Sequence, residues 1–189
     1  MESITKQILN HLGNEHTKVE RKQGFMGNYY SPLIDTIYIA EEFENTKMPN
    51  GTEKINKKAA ELIVVCHECV HSVQNKSLHL LNTLFANLSL ILSLTYIIMA
   101  VLGTSQLWLK IVTASALVLS IIFRLILEIW ATNSSTNLAK EIVDKELVQD
   151  VSKEDIQEGV EYINRHKWVA YLQMISDKTI FLTLVLIVK

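Results

Sequence analysis

The segment VVCHECVHSVQ, residues 64 to 74, places two histidines four positions apart, with a glutamate directly after the first. Residues four apart on an α-helix lie on one face, so His67 and His71 can present two imidazole nitrogens to one metal ion. Glu68 is rotated by about 100° around the helix, where its carboxylate can take a proton from water beside the metal. Because zinc binds paired imidazoles readily, the spacing predicts a zinc peptidase.

A short pattern of this kind also occurs by chance, as two surface histidines beside a solvated glutamate. The apolar neighbours of the motif favour a largely buried helix instead, in which polar side chains need partners. These neighbours are Leu62, Ile63, Val64, Val65, Cys69, Val70 and Val73. A metal with bound water supplies such partners, so the surroundings support the metal interpretation.

A catalytic zinc usually has three protein ligands, and the two histidines leave one to be found. Glu128 ends a long apolar segment, where a carboxylate is costly unless it is paired or bound to metal. An ion pair with Arg124, four residues earlier, is the alternative, and both interactions can coexist. Four other residues are further candidates for the third ligand: His79, Glu141, Asp144 and His166.

Cys66 and Cys69 form a CxxC pattern that overlaps the motif. A redox pair or a cysteine zinc site is conceivable, but there is no second pair and both residues fall on the helix. We expect reduced cysteines that pack in the core.

Two membrane spans follow the motif. No Asp, Glu, Lys or Arg occurs between residues 78 and 109, which exceeds the roughly 20 apolar residues that cross a bilayer. We expect spans at about 81–102 and 107–127, joined by a tight turn at 103–106. Glu128 then lies opposite about residue 81, about 15 Å beyond His71 on a straight helix, so the motif helix must bend between Asn75 and Leu80.

A third apolar stretch, Trp168 to Val188, is long enough to span, although Asp177 and Lys178 lie in its middle. Lys and Arg are frequent in residues 1–78 and 131–167 and absent from the turn between the first two spans. The positive-inside rule therefore places both charged regions in the cytoplasm.

The N-terminal region has the pattern of a small α+β unit. Helical periodicity covers residues 2–13, and β-rich runs follow at Thr17–Arg21, Phe25–Tyr30 and Thr36–Ala40. The motif helix begins near Thr52, and residues 134–165 are polar and helical, with a break near 150–155. With 18 basic and 20 acidic side chains and no basic block, a nucleic-acid partner is not expected. The chain opens without a signal-peptide pattern, which argues against a disulfide-stapled secreted protein.

The chain resembles a known family at this point. The segments GNYYSP (27–32), TIYIA (36–40), HECVHSVQ (67–74), the apolar hairpin and EIWAT (128–132) follow in the order of YugP-like membrane zinc metallopeptidases. The wider resemblance is to HtpX-type gluzincins, whose third ligand is the glutamate of an ExxA motif. It covers the chain from about Ile4 to the C-terminus.

This resemblance implies that His67, His71 and Glu128 bind zinc and that Glu68 is the general base, with Ala131 as the small residue of ExxA. It also implies that Asn28, Tyr29 and Tyr30 form a substrate-side strand, whose exposed edge could pair with an extended peptide. Arg124 would then act on the site through Glu128.

Three features depart from the family pattern. The family's membrane helix upstream of the N-terminal region has no counterpart here, and Val70 replaces the usual glycine before the second histidine. Thr132 stands where HtpX-type enzymes have an acidic residue that orients a ligand histidine, which predicts weaker support of the metal ligands.

We therefore expect a mainly helical α+β membrane protein in four parts. These are a cytoplasmic zincin-like region with the HExxH helix at 1–78, a transmembrane hairpin at 79–130, a cytoplasmic helical segment at 131–167 and a C-terminal membrane helix at 168–189. The expected activity is zinc-dependent endopeptidase cleavage of peptides or membrane proteins at the cytoplasmic face of the cell membrane. The rival hypotheses are a non-proteolytic protein that binds zinc in a structural or sensing role and a membrane scaffold without metal.

Overall fold

The computed structural model describes residues 2–22, 28–40, 57–104, 106–148 and 151–187. Helices predominate in this part of the chain, and three short strands form one sheet. The helices are α1 (Glu2–His11), α2 (Lys57–Val73), α3 (Lys76–Val101), α4 (Leu107–Asp144), α5 (Lys153–Met174) and α6 (Ser176–Ile187). The strands are β1 (Lys18–Lys22), β2 (Tyr29–Ser31) and β3 (Thr36–Ala40). The expectation of a mainly helical chain with a few strands is confirmed.

The sheet has the order β1-β3-β2, so β2 lies at one edge. β1 pairs with β3 in parallel, and β2 pairs with β3 in antiparallel register, with Tyr30 opposite Ile37. Tyr30, Ile37 and Ile39 are buried on the same face, as alternation along strands requires. β3 has the predicted bounds and β1 begins one residue later than predicted. The predicted strand at 25–30 appears as 29–31, and its residues 25–27 lie outside the described residues.

The chain divides into two compact units. The first comprises residues 1–74 and 129–167, with α1, the sheet, α2, the C-terminal part of α4 and most of α5 around one core. Among its fully buried side chains are Ile8, Leu9, Ile37, Leu62, Ile142 and Ile156. α5 comes close to α2 at Gly159, where an added Cβ would lie 2.8 Å from Cδ1 of Ile63. Glycine permits this approach.

The second unit comprises residues 75–128 and 168–189. Its small core contains Tyr96, Leu109, Leu117 and Val185. Large apolar side chains are nevertheless exposed along α3 and α4, for instance Ile91 at 62% and Ile98 at 59%. Exposed apolar surface on this scale is typical of helices that contact lipid. α3 and α4 are both long and apolar enough to cross a membrane, as the sequence predicted.

An asparagine precedes α3 and a glycine follows it. Gly103 follows α3 with a φ of 69°, and the N–H groups of Gly103 and Thr104 donate to the carbonyls of Ala100 and Met99. This is the hydrogen-bond pattern of a glycine-terminated helix, and it opens the predicted turn, of which Ser105 lies outside the described residues. Asn75 caps α3, since its Oδ1 accepts from the N–H of Ser77 at 2.8 Å.

Helix α4 contains the predicted second span at about 107–127 and continues beyond it as one helix to Asp144. Residues 128–144 contain no Gly or Pro, and Ala131, Leu138 and Ala139 are buried in the core of the first unit. Where the sequence predicts a bend between Asn75 and Leu80, the structure has two helices, since α2 ends at Val73 and α3 begins at Lys76.

The predicted helix from Trp168 to Val188 is divided. α5 runs through its start and ends at Met174, and α6 begins at Ser176. The two helices are bent by 47°, and only as a bent pair do they provide a third candidate span. The break lies just before Asp177 and Lys178, the charged pair that interrupts the apolar stretch.

Candidate metal centre

The histidine pair of α2 converges as its spacing predicts. Nε2 of His67 lies 3.0 Å from Nε2 of His71, and the two rings meet edge to face with centroids 4.6 Å apart. Two zinc–nitrogen bonds of roughly 2.0–2.1 Å at a tetrahedral angle place their nitrogens about 3.3 Å apart. The observed separation is therefore close to that of two imidazoles on one zinc ion.

Gln74 determines how His71 is oriented. Its Oε1 lies 2.8 Å from Nδ1 of His71, and both side chains are buried. Because an amide oxygen only accepts hydrogen bonds, Nδ1 is the nitrogen that donates. In the neutral ring Nε2 then carries the lone pair, as metal binding requires. Sequence reasoning missed Gln74, although its position three residues after His71 placed it on the same side of the helix.

Glu128 supplies the third donor. His67, His71 and Glu128 each offer one ligand atom, and these atoms all lie within 4.8 Å of one another. The carboxylate of Glu128 is buried, with an exposed fraction of 3%. Glu128 is the last residue of the second unit's part of α4. The next residue of the same continuous helix, Ile129, belongs to the first unit.

The ion pair that competed with metal binding in the sequence interpretation is also present. Nη2 of Arg124 lies 3.0 Å from Oε1 of Glu128, one helical turn away. A carboxylate has two oxygens and several lone pairs, so a guanidinium and a metal can share it. The ion pair and the His-His-Glu group thus coexist.

Glu68 projects from α2 towards the edge strand of the sheet. Its Oε2 accepts a hydrogen bond of 2.7 Å from the backbone N–H of Tyr30 in β2, and its exposed fraction is 8%. A carboxylate in such a bond accepts strongly and is held in one orientation. The contact joins residues 38 positions apart in sequence, so helix periodicity alone could not have predicted it.

The residues predicted for a substrate-side strand have three different environments. Asn28 accepts from the N–H of Ala40 at 2.8 Å and so closes the end of the sheet. Tyr29 stacks on Tyr38 and accepts from Nζ of Lys22, on the face away from α2. Tyr30 is buried, and its N–H is bonded to Glu68, so a peptide could use this N–H only by displacing that carboxylate.

Thr132 gives the histidines no support. It is half-buried, and in the described part of the chain its side chain makes no hydrogen bond, while its carbonyl accepts from Ser135. Gln74, by contrast, is bonded to His71. The HtpX-type pattern has an acidic residue at the position of Thr132 to orient a histidine, whereas here a histidine is bonded to Gln74.

The alternative ligands lie in other environments. Glu141 is bonded to His11 and Lys145, Asp144 is paired with Lys153, and Nδ1 of His166 donates to the carbonyl of Tyr162. His79 is buried near the start of α3. Within the described residues, none of the four belongs to a group of three that could hold a metal.

Cys66 and Cys69 are free and fully buried. Burial raises the pKa of both thiols, which keeps them protonated at neutral pH. Neither cysteine has the electropositive, accessible surroundings of a reactive thiol. The expectation that both pack in the core is confirmed.

The donor set fits a divalent transition metal. Two imidazole nitrogens and one carboxylate oxygen are the ligands of many catalytic zinc sites, which leave one position for water or substrate. Glu68, next to His67 in the chain, provides a carboxylate that is not counted among the three ligands. A group of this composition can bind a metal and place a base beside it.

Comparison with known proteins does not identify the chain. A scan against models of protein families found no match, and searches of curated proteins and of solved structures also found none. The resemblance to YugP-like metallopeptidases therefore depends on the sequence segments quoted for it, and it stays a prediction.

Proposed function

We propose that this chain is a membrane-embedded, zinc-dependent endopeptidase. The single observation that supports this proposal most is the convergence of His67, His71 and Glu128, with their ligand atoms within 4.8 Å. A chance HExxH pattern on a helix does not require a buried third donor from another helix. Here Glu128 is 57 residues from His71 in sequence and still belongs to the group.

Zinc, when bound, would polarise the scissile carbonyl and lower the pKa of the attacking water. Glu68 would take a proton from this water and deliver it to the nitrogen of the leaving amine as the peptide bond breaks. The hydrogen bond from Tyr30 would hold the carboxylate of Glu68 in place during both transfers. Gln74 would keep His71 in the metal-binding tautomer.

The exposed apolar side chains of α3 and α4 support a site close to a bilayer. The distribution of Lys and Arg along the sequence supports a cytoplasmic position for the site. Substrates would be membrane proteins or unfolded peptides that can offer an extended segment near the bilayer. The first unit would act as a zincin-like catalytic region in which β2 lies beside the motif helix.

The test compares the purified protein in detergent with its Glu68→Gln variant. Zinc content is measured by mass spectrometry, and cleavage is measured with a mixture of unstructured, fluorescence-quenched peptides. We expect about one zinc per chain in both proteins, because Glu68 is not a ligand. Cleavage by the variant should fall by about 10²–10⁴-fold, because Gln cannot take up the proton.

Glu158→Gln is a matched control, since Glu158 is an exposed glutamate of α5. It should leave zinc content and cleavage unchanged. Wild-type turnover in Glu68→Gln would refute the proposed mechanism. A wild-type protein that binds zinc but cleaves neither peptides nor a membrane-anchored substrate would refute the peptidase.

The hydrogen bond from Tyr30 to Glu68 favours a second candidate, a zinc-binding membrane protein without protease activity. A buried carboxylate bonded to a strand can have a purely structural role. In that case Glu68→Ala, which removes the acceptor, would lower the stability of the protein with or without zinc, and Glu68→Gln, which keeps an oxygen acceptor, would change neither stability nor any activity. The peptidase instead predicts that Glu68→Gln keeps most of its stability and loses turnover.

A further inference from the structure

A set of side-chain hydrogen bonds in the first unit begins and ends on α2. Asn14, in the loop after α1, donates to Oγ of Ser72 at 3.0 Å and to Oγ1 of Thr17 at 2.8 Å. Thr17 donates in turn to Oδ1 of Asp35 at 2.9 Å. The hydroxyl of Tyr30 donates to the same oxygen at 3.0 Å, and the N–H of Tyr30 donates to Glu68.

The path therefore leaves α2 at Ser72 and returns to it at Glu68, one helical turn earlier. It crosses the loop before β1, the turn between β2 and β3, and the edge strand itself. Each of these hydrogen bonds restricts the side chains that it joins, and the covalent frame of Tyr30 connects its hydroxyl to its backbone N–H. Glu68 is the member proposed to do chemistry.

Asp35 is the central acceptor of the path. One of its carboxylate oxygens receives hydrogen bonds from two hydroxyls, and its carbonyl accepts from the N–H of Lys18. Its backbone has a φ of 49°, in the left-handed region that Asp and Asn enter more readily than most residues. In this conformation the carbonyl of Asp35 joins the β2–β3 turn to β1, and its carboxylate joins the turn to the phenol of Tyr30.

We propose that Asp35 is a positioning residue for Glu68, acting through Tyr30. By anchoring the phenol of Tyr30, Asp35 fixes the place of β2 and hence of the N–H that orients the carboxylate of Glu68. The proposal rests on the proposed function, since it assigns to Asp35 a role in the same reaction. In this scheme Asp35 affects the reaction through the orientation of the base.

Two substitutions distinguish the effect of the Asp35 carboxylate from the effect of its backbone conformation. Asp35→Asn keeps an oxygen that can accept both hydroxyls and tolerates a positive φ. Asp35→Gly tolerates the positive φ even better but removes the acceptor. A matched control is Glu146→Gly, because Glu146 is an exposed acidic residue of the first unit with a φ of 54° and lies outside the path.

Steady-state kinetics with the quenched peptides test the role of Asp35. Asp35→Gly should lower kcat by about tenfold or more with KM changed by less than about twofold, because misplacing the base affects the transition state and not substrate binding. Zinc content should stay at the wild-type value. Asp35→Asn should restore kcat to within about threefold of wild type, and Glu146→Gly should match wild type.

A second readout does not depend on peptidase activity. In protein labelled with ¹⁵N-tyrosine, the amide resonance of Tyr30 is identified by its loss in Tyr30→Phe. It should shift in Asp35→Gly and stay in place in Asp35→Asn and Glu146→Gly. If wild type cleaves no peptide, this pattern would still support the positioning role while the peptidase proposal fails.

Two outcomes would overturn the inference. The first is an Asp35→Gly variant with wild-type kcat and an unmoved Tyr30 amide resonance. The second is an Asp35→Asn variant that loses as much kcat as Asp35→Gly, because an acceptor in the right place would then be insufficient. A loss of zinc in Asp35→Gly would also contradict it, since the effect would extend beyond the base.

Discussion

Nε2 of His67 lies 3.0 Å from Nε2 of His71, with the two rings edge to face. Without a metal, two imidazoles at this distance share one proton in a hydrogen bond. With a metal, both Nε2 atoms would bind the ion, and a neutral ring that had held its proton on Nε2 would carry it on Nδ1 instead. The same arrangement of the two rings is thus compatible with the metal-free and the metal-bound protein. The side chains around the pair determine which of the two forms is more stable.

Zinc content should depend on Glu128 and not on its neighbours along α4. Glu128→Ala removes the third donor and should lower the zinc content of the purified protein well below one per chain, as measured by mass spectrometry. Glu141→Ala is the control, because Glu141 is a glutamate on the same helix that is bonded to His11 and Lys145. Loss of zinc in Glu141→Ala alone would mean that the third ligand has been assigned to the wrong glutamate.

Gln74 should raise the affinity of the site for zinc. Gln74→Ala removes the oxygen that accepts from Nδ1 of His71 and should weaken zinc binding by about 10–100-fold in a competition titration with a chelator. Gln74→Glu keeps an oxygen acceptor and should bind zinc at least as tightly as wild type. Gln157→Ala, on the exposed side of α5, should have no effect. Equal affinity in wild type and Gln74→Ala would show that His71 needs no orienting partner.

Arg124 should matter more for the metal-free protein than for the zinc form. Arg124→Gln removes a cation 3.0 Å from the buried carboxylate of Glu128. Because the side chain of Arg124 is 40% exposed, we expect a loss of about 1–2 kcal/mol without metal, less than for a fully buried pair. Zinc would supply the missing positive charge, so thermal unfolding should show a larger zinc-induced rise of Tm in the variant than in wild type.

Arg165→Gln is the control for this experiment, since the pair between Arg165 and Glu161 is more than half exposed on both sides. It should change Tm little under either condition. An equal loss of stability in Arg124→Gln with and without zinc would show that the metal does not share the carboxylate of Glu128.

The two cysteines should be inert in the folded protein. Burial raises the pKa of Cys66 and Cys69, so the reactive thiolate is scarce below the raised pKa and the thiols are also inaccessible. Iodoacetamide at pH 8 should therefore modify neither cysteine in the native protein and both after denaturation, as read by mass spectrometry. Rapid modification of the native protein would reopen the interpretation of the CxxC pattern as a redox pair.

The strongest periodic signals of the sequence predicted the structure well. β3, the two long apolar helices and the burial of the motif helix follow from local patterns that each element expresses by itself. The group of His67, His71 and Glu128 also appears as expected. For the histidines the helical spacing sufficed, whereas Glu128 was found because a carboxylate in an apolar segment needs a partner.

Local patterns failed where a contact joins distant parts of the chain. The bond from Tyr30 to Glu68 and the path through Asp35 connect loops, strands and α2, and no spacing rule anticipates them. The continuation of α4 as one helix beyond the predicted span was not anticipated, because hydropathy marks where a membrane segment ends and not where a helix ends. The helix ends at Asp144, beyond Ala139 and Ile142, which are buried in the core of the first unit.

The uninterrupted course of α4 through Glu128 bears on the substrates of the proposed peptidase. Its 38 residues extend about 57 Å, nearly twice the thickness of a bilayer's hydrocarbon core. With its apolar half in lipid, such a helix would hold Glu128 in a thin layer beside the membrane. Under the proposed function, proteins anchored in the same bilayer would meet the site at a high effective concentration, while dissolved peptides would meet it only at their bulk concentration. Selection by location of this kind requires no pocket for a particular side chain.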